Sequence, residues 1–252
     1  MSVPVTAIIL IFLLAAFSSF AQRVTGFGFG IIMMTALPYV APSYGEATAI
    51  SGLLAIFNTV IPAFKYRKLV FRKEAGKVPG RKLLVILATF LVVSFFSVRL
   101  LSRVDGPLLK HILGGVLILL SLWFLFVSGR IRIAPTVPAQ IGMGTVSGVM
   151  GGLFAMQGPP AVIYFLACAD SKEEYLGLTQ WYFLIGNLAM TAYRGGHGLV
   201  TGEVLILFAI ALPAVLLGVA IGDKIFDRLD ADRLRKIIYI FLALAGVAAL
   251  LS

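Results

Sequence analysis

Two glycine-rich stretches hold the residues of this chain that are best suited to chemistry. The first is VTGFGFGIIMMTALP at residues 24–38, and the second is VSGVMGGLFAMQGPP at residues 146–160. Glycine permits backbone conformations that other residues resist, and proline interrupts a helix because it has no N–H. Each stretch therefore predicts a broken helix whose free N–H groups and positive end could bind an anion.

The two stretches align with each other without a gap. The matched positions are Val24 with Val146, Gly26 with Gly148, Gly30 with Gly152, Met34 with Met156 and Pro38 with Pro160. Two further blocks repeat in the same order, because residues 58–65 resemble 187–194 and the charged turn at 103–112 resembles that at 228–237. We infer a duplicated chain, with a first repeat at 1–128, a linker at 129–138 and a second repeat at 139–252.

Composition indicates a membrane protein. The chain is 60% hydrophobic and only 13% charged, so a soluble fold could not bury its apolar surface. The net charge of +10 does not indicate a nucleic-acid partner, because eight of the 21 basic residues lie at 65–82. Such a cluster between apolar runs is typical of a cytoplasmic loop. We predict an all-α polytopic membrane protein, each repeat having about four spans and one helix broken by glycine and proline.

The apolar runs suggest how the chain crosses the membrane. Residues 3–21 form a retained helix in this interpretation, since no positive charge precedes them as in a signal peptide. If each broken element crosses the membrane once, the repeats are parallel; if each crosses twice, they are inverted. Charge favours parallel repeats, because inverted ones would place the acidic turn at 170–174 on the cytoplasmic side. We therefore expect Lys73 and Arg194 on the same, cytoplasmic, face.

Polar side chains inside the apolar runs are the candidate substrate ligands. Arg23 and Arg194 lie near the two breaks, although a basic residue at a span end can also anchor in the interface. Uncharged amides could orient substrate oxygens, although interhelical hydrogen bonds also explain each one. The candidate binding residues are Arg23, Thr25, Gly26, Gly28, Gly30, Asn58, Ser147, Gly148, Gly152, Gln157, Gly158, Gln180 and Asn187, and the structural helix breaks are Pro38, Pro159 and Pro160.

The glycines have a second interpretation, as small residues that let two helices pack closely. The two interpretations differ in what an added side chain does. If Gly30 and Gly152 present N–H groups to a substrate, Gly30→Val and Gly152→Val should block transport and leave the fold intact. If they pack helices, the same valines should lower thermal stability.

The sequence gives less support to a catalytic site or a metal site. His111 and His197 have no second metal ligand at a useful spacing, and the lone Cys168 is typical of a small buried residue, so we predict no cofactor. Ser51 in a span and His197 downstream faintly resemble the Ser–His dyad of rhomboid intramembrane proteases. That protease is one alternative, and an accessory membrane subunit without transport is another.

The glycine blocks, GFGFG followed by Pro38 and later Gly158-Pro159-Pro160, resemble the TauE/SafE sulfite exporter family, also called toluene-sulfonate uptake permeases. The resemblance covers nearly the whole chain, although the second block keeps Gly151-Gly152 where many members have three glycines. It implies a multi-pass transporter of about eight spans in the bacterial inner membrane, for sulfite, sulfonates or related small organic anions.

We therefore predict an anion transporter, not an enzyme, that works by alternating access at its paired broken helices. The expected partners are a small anionic substrate and membrane lipid, and not nucleic acid. A homodimer is left open as a further assembly. The sequence does not decide which anion is carried, or in which direction.

Overall fold

The computed structural model describes residues 5–71, 80–101, 103–127, 136–225 and 231–251, which form helices joined by short connections. The helices are α1 (Val5–Thr25), α2 (Phe29–Met33), α3 (Leu37–Val40), α4 (Tyr44–Lys65), α5 (Arg67–Val70), α6 (Arg81–Leu101), α7 (Gly106–Leu122), α8 (Val137–Phe154), α9 (Gly158–Cys168), α10 (Lys172–Gly196), α11 (Gly202–Ile225) and α12 (Ala231–Leu251). A π-helical turn at Trp123–Val127 extends α7. The described ranges contain no strand, and the all-α prediction is confirmed.

Five helices are long and apolar enough to cross a membrane. They are α1, α4, α6, α11 and α7 with its π-helical extension. The apolar segments Phe29–Val40 and Gly158–Cys168, which follow the two breaks, are shorter. Large apolar side chains such as Leu13, Val92 and Leu119 are more than half exposed on the outer surface, where lipid would cover them. The chain is a multi-pass membrane protein.

Helices α4 and α10 pack against each other in opposite directions. Gly45, near the start of α4, lies against Leu199 just after α10, whereas Gly177, near the start of α10, lies against Tyr66 just after α4. These two helices are the ones that match in the sequence alignment. Corresponding helices therefore run antiparallel, and the preference for parallel repeats is wrong.

The other close helix pairs are made at glycines. Gly218 and Gly222 of α11 lie against α1, and the two helices run parallel. Gly148 and Gly152 of α8 lie against α6, again in parallel. Small residues allow such backbones to approach closely. As a result, α1 and α8 each pack mainly against a helix from the other half of the chain.

The acidic turn lies at the same end of the bundle as Lys82, the last residue of the basic segment. The Lys82 ammonium, at the start of α6, is 2.8 Å from an Asp170 carboxylate oxygen and 2.9 Å from one of Glu174. Lys73 and most of the 129–138 linker lie outside the described residues. Arg194 lies near the opposite end of α10, so the expectation that it shares a face with the basic segment is wrong. Acidic residues carry little topological weight, and here Lys82 pairs with two of them.

Candidate functional site

The first break separates α1 from α2 at residues 26–28. Gly26 and Gly28 have φ angles of +88° and +109°, which favour glycine because a Cβ would crowd the backbone. The Thr25 hydroxyl bonds to the carbonyl oxygens of Ala21 and Phe27, each at 2.8 Å, and so ties the end of α1 to the break. Pro38 lies in the first turn of α3. A helix broken at these glycines is what the sequence predicts.

The second break lies later in the chain than the glycine alignment predicts. Helix α8 continues through Gly148 and Gly152, and the break occupies residues 155–157, where Ala155 has a φ of +56°. The two breaks are thus 129 positions apart, since 155 − 26 = 129, as Asn58 and Asn187 also are. The aligned glycines are 122 positions apart and miss the true register by about two helical turns. The glycines of α8 that pack against α6 therefore have the same sequence spacing as glycines of the first break without forming a break themselves.

Gly148 and Gly152 fit the packing interpretation. A Cβ at Gly148 would lie 2.7 Å from the Val93 Cβ of α6. A Cβ at Gly152 would overlap the Ser97 side chain and lie 3.1 Å from the Ser94 carbonyl oxygen. Neither residue borders the cavities described below. The missing side chains of both glycines would point into α6.

Some backbone N–H groups at the two breaks are occupied, and others are absent because the residue is proline. At the first break, the Phe29 N–H donates to the Gln22 side-chain oxygen at 3.1 Å. At the second, Pro159 and Pro160 occupy the first turn of α9, where proline removes donors that a helix start would otherwise expose. The Phe29 N–H is therefore occupied, and the start of α9 offers fewer donors than an ordinary helix start.

The two breaks pack directly on each other. A Cβ at Gly30 would overlap the carbonyl oxygen of Ala155, and the adjoining space is only about 30 Å³. Gln157 and Asn187 border this space, and the Gln157 amide donates to the Asn187 side-chain oxygen at 3.3 Å. Gly28 and Gly158 also border it.

The second break is tied to α8 and α10 by hydrogen bonds. Ser147 of α8 donates to the Gln157 carbonyl oxygen, and the Tyr182 hydroxyl of α10 donates to Ser147 at 2.7 Å. All three residues are buried. Ser147 and Gln157 thus hold the second break in place.

A larger cavity of about 260 Å³ lies at the end of the bundle where α4 and α11 end and α10 begins. We call it the main cavity. Of the predicted binding residues, Arg23, Gly26, Asn58 and Gln180 border it. Gln22 borders both this cavity and the small space between the breaks, so the two lie next to each other.

The amides of the main cavity are partly occupied by other contacts. Asn58 accepts a hydrogen bond from Ser19 at 2.7 Å, and its NH2 group has no partner in the described part of the chain. Gln180 donates to the Gly26 carbonyl oxygen at 3.1 Å, which holds the first break against α10. The Asn58 NH2 group is thus a buried donor without a partner beside this wall.

Four charged residues border the main cavity: Arg23, Lys65, Glu173 and Asp223. Arg23 forms an ion pair with Asp223 through Nε and Nη2. Lys65 makes no ion pair within the described ranges, and its ammonium lies 5.5 Å from the centre of the Tyr66 ring. The guanidinium is therefore partly neutralised, whereas the ammonium is not.

Sequence reasoning missed Gln22, Lys65, Glu173 and Asp223 as part of this site. Lys65 was assigned to the basic cluster at 65–82 and Glu173 to the acidic turn at 170–174, because each lies at the end of an apolar run. The alignment of Lys65 with Arg194 was the one signal that pointed to Lys65. Asp223 is 200 positions from Arg23 and could not be paired with it from the sequence.

The geometry does not support a protease or a metal site. The Ser51 hydroxyl has no hydrogen-bond partner among the described residues, and His197 Nδ1 bonds instead to the Tyr193 carbonyl oxygen at 2.8 Å. The Ser–His pair that a protease requires is not formed. In the described ranges, no three His, Cys, Asp or Glu residues are grouped to hold a metal ion.

Comparison with known proteins agrees with a transporter. Residues 11–249 match the family model described as sulfite exporter TauE/SafE. The chain belongs to the TauE/SafE family. A relative from Cupriavidus necator, named a probable sulfite/organosulfonate exporter TauE, is 28% identical over 216 residues, which cover 82% of this chain and 79% of the relative. No solved structure matches the chain.

Family membership confirms the resemblance seen in the glycine blocks. TauE/SafE proteins are membrane transporters rather than enzymes, and nothing in the comparisons supports the rhomboid-like alternative.

Proposed function

We propose that this TauE/SafE protein carries small anions of the sulfite and organosulfonate class across the bacterial inner membrane and binds them in the main cavity. The observation that carries the proposal is a cavity bordered by Arg23, Lys65 and the free amide of Asn58 in a member of this family. Its volume of about 260 Å³ is below the range of about 300–1,000 Å³ typical of drug-sized ligands. A small ligand suits that space.

The charges around the cavity favour an anion of low charge. Two basic residues, Arg23 and Lys65, are balanced by Glu173 and Asp223, so the formal charge of the wall is zero. A monoanion such as hydrogensulfite or an alkylsulfonate can accept bonds from Lys65, Asn58 and the remaining N–H groups of Arg23. A dianion costs more to desolvate, and a wall of zero net charge does not offset that cost. We expect sulfate to compete poorly.

Alternating access is the mechanism that we propose for this chain. The two repeats, at 1–128 and 139–252, would exchange which end of the bundle is open. The antiparallel course of α4 and α10, and the pairing of α1 with α11 and of α8 with α6, support such a scheme. A membrane potential, negative inside, would drive an anion outward with about 2.3 kcal/mol per charge per 100 mV. Export, as in the name of the relative, follows if no other ion is coupled.

Flux measurements with an altered cavity test the proposal. Purified protein is reconstituted into proteoliposomes, and the flux of radiolabelled sulfite and of ethanesulfonate is measured for wild type and for Arg23→Gln. We expect wild-type flux of at least one of the two anions. Arg23→Gln should raise the half-saturating concentration at least about tenfold, because it removes a charged donor worth about 1.5–3 kcal/mol and leaves the Asp223 carboxylate unpaired.

Arg99→Gln is the matched control, because Arg99 is an exposed arginine in the last turn of α6 and does not border the cavity. It should transport like wild type. If Arg23→Gln behaves as Arg99→Gln does, Arg23 is an interface anchor and the cavity assignment is wrong. If wild type carries no anion of this class, the proposed function itself is wrong.

A further inference from the structure

A second group of buried polar side chains lies toward the end of the bundle away from the main cavity. Arg194 on α10 is 0% exposed, and its Nη2 donates to the carbonyl oxygens of Gly151 at 2.9 Å and Gly152 at 3.4 Å, near the end of α8. Its Nε and Nη1 have no hydrogen-bond partner within the described ranges. No carboxylate of the described residues forms an ion pair with it. Arg194 is thus a buried cation with unused donors.

Three hydroxyl groups of α4 and α10 are also buried and without partners among the described residues: those of Tyr44, Ser51 and Thr191. Tyr44 and Ser51 are seven residues apart on α4, which places them on one face, and Thr191 precedes Arg194 by almost one turn on α10. Tyr44 is close enough to Arg194 for an electrostatic interaction.

Gly52 allows the two helices to approach at this point. Its added Cβ would lie 3.0 Å from Arg194 Nη1 and 3.3 Å from the Thr191 hydroxyl oxygen. The guanidinium and the threonine hydroxyl therefore lie on the α4 side of α10. We call Arg194, Tyr44, Ser51 and Thr191 the second cluster.

The second cluster corresponds to the main cavity in the other half of the chain. The 129-position offset relates residues 26–28 to 155–157 and Asn58 to Asn187. Applied to residues that border the main cavity, it relates Lys65 to Arg194, Gln180 to Ser51, Glu173 to Tyr44 and Pro62 to Thr191. Because α4 and α10 are antiparallel, the residues that correspond to the main cavity lie toward the opposite end of the bundle.

We propose that the second cluster is a second anion-binding site, closed in this conformation, which receives the transported anion when the opposite end of the bundle opens. The proposal rests on the proposed function. Buried polar groups are normally paired, and the unused N–H groups of a buried arginine suit the oxygen atoms of an anion. The cluster contains no carboxylate, so an anion there meets a net positive charge.

A purely structural role explains only part of these contacts. Arg194 Nη2 satisfies carbonyl groups at the end of α8, where a positive charge is favourable. That role uses neither Nε nor Nη1, and it gives no reason for three buried hydroxyl groups without partners. Removing an unpaired buried hydroxyl should be neutral or stabilising if nothing binds to it. The two interpretations therefore predict different transport by variants that lack one of these hydroxyl groups.

Three substitutions separate them. Tyr44→Phe and Thr191→Val each remove one unpaired hydroxyl and keep the shape of the side chain. Arg194→Lys keeps a positive charge at the end of α8 and has fewer donors. Sulfite and ethanesulfonate flux in proteoliposomes, and the thermal denaturation midpoint in detergent, are measured for each. We expect unchanged or higher midpoints for the first two, with half-saturating concentrations at least fivefold above wild type for all three.

Thr59→Val is the matched control, because the buried Thr59 hydroxyl of α4 donates to its own helix, to the Ala55 carbonyl oxygen at 2.8 Å. It should leave flux unchanged. If Tyr44→Phe and Thr191→Val transport as Thr59→Val does, the second site is overturned, whether or not Arg194→Lys folds, and the main cavity is unaffected. If wild type carries neither anion, the proposed function fails and the second site fails with it.

Discussion

Gly152→Ala offers a direct test of what the glycines of α8 do. The added Cβ would overlap the Ser97 side chain and lie 3.1 Å from the Ser94 carbonyl oxygen and 3.2 Å from the Ser97 carbonyl carbon. Two of these neighbours are backbone atoms of α6 and cannot rotate away. Helices α6 and α8 must therefore separate, and Gly152→Ala should lower the stability of the protein.

The magnitude follows from two opposing terms. Replacing a glycine inside a helix by alanine favours the helix by about 1 kcal/mol, because alanine loses less backbone entropy. Overpacking a tight contact costs about 1–3 kcal/mol. Gly142 supplies the matched control on the same helix, since its added Cβ would meet no atom within 4 Å. Gly142→Ala should gain the first term alone, so the two variants should differ by about 1–3 kcal/mol.

Thermal denaturation of the detergent-solubilised protein, followed by the loss of monodisperse protein, measures this difference. For a chain of this size, 1 kcal/mol shifts the midpoint by about 2–4 °C, so Gly152→Ala should melt roughly 2–12 °C below Gly142→Ala. Gly152→Val should melt lower still. A Gly152→Ala midpoint equal to or above that of Gly142→Ala would refute the packing argument and return Gly152 to the set of ligand-binding residues.

Two further predictions concern the core and the topology. Ser19→Ala should lower the free energy of unfolding by about 1–3 kcal/mol, because the Ser19 hydroxyl bonds α1 to both α4 and α11. Ser18→Ala should lower it less, since the Ser18 hydroxyl donates only to its own helix. Thermal denaturation compares the two variants, and equal losses of stability would contradict the reasoning. Cysteines placed at Lys68 and Glu173 should react with a membrane-impermeant reagent from the same side of the membrane, and a cysteine at Glu203 from the other. Labelling of the cysteines at Lys68 and Glu203 from one side and of that at Glu173 from the other would contradict the antiparallel course of α4 and α10.

The sequence by itself determined the fold class and the first break. Apolar runs of sufficient length predict membrane helices because lipid requires every backbone group to be paired within the helix. Gly26 and Gly28 were recognisable because a positive φ is a local demand that glycine meets best. The buried amides of Asn58, Gln157, Gln180 and Asn187 were also found, since polar groups in an apolar run must be satisfied inside the protein.

Only the tertiary structure decided how these parts are combined. It showed that α4 and α10 run antiparallel, whereas charge counting had favoured the opposite, because acidic residues carry little topological weight. It also moved the second break to Ala155, where helix packing and not local sequence sets the register. Arg23 meets Asp223 across 200 positions of chain. Such a contact depends on which helices pack together, and this packing cannot be read from the sequence between Arg23 and Asp223.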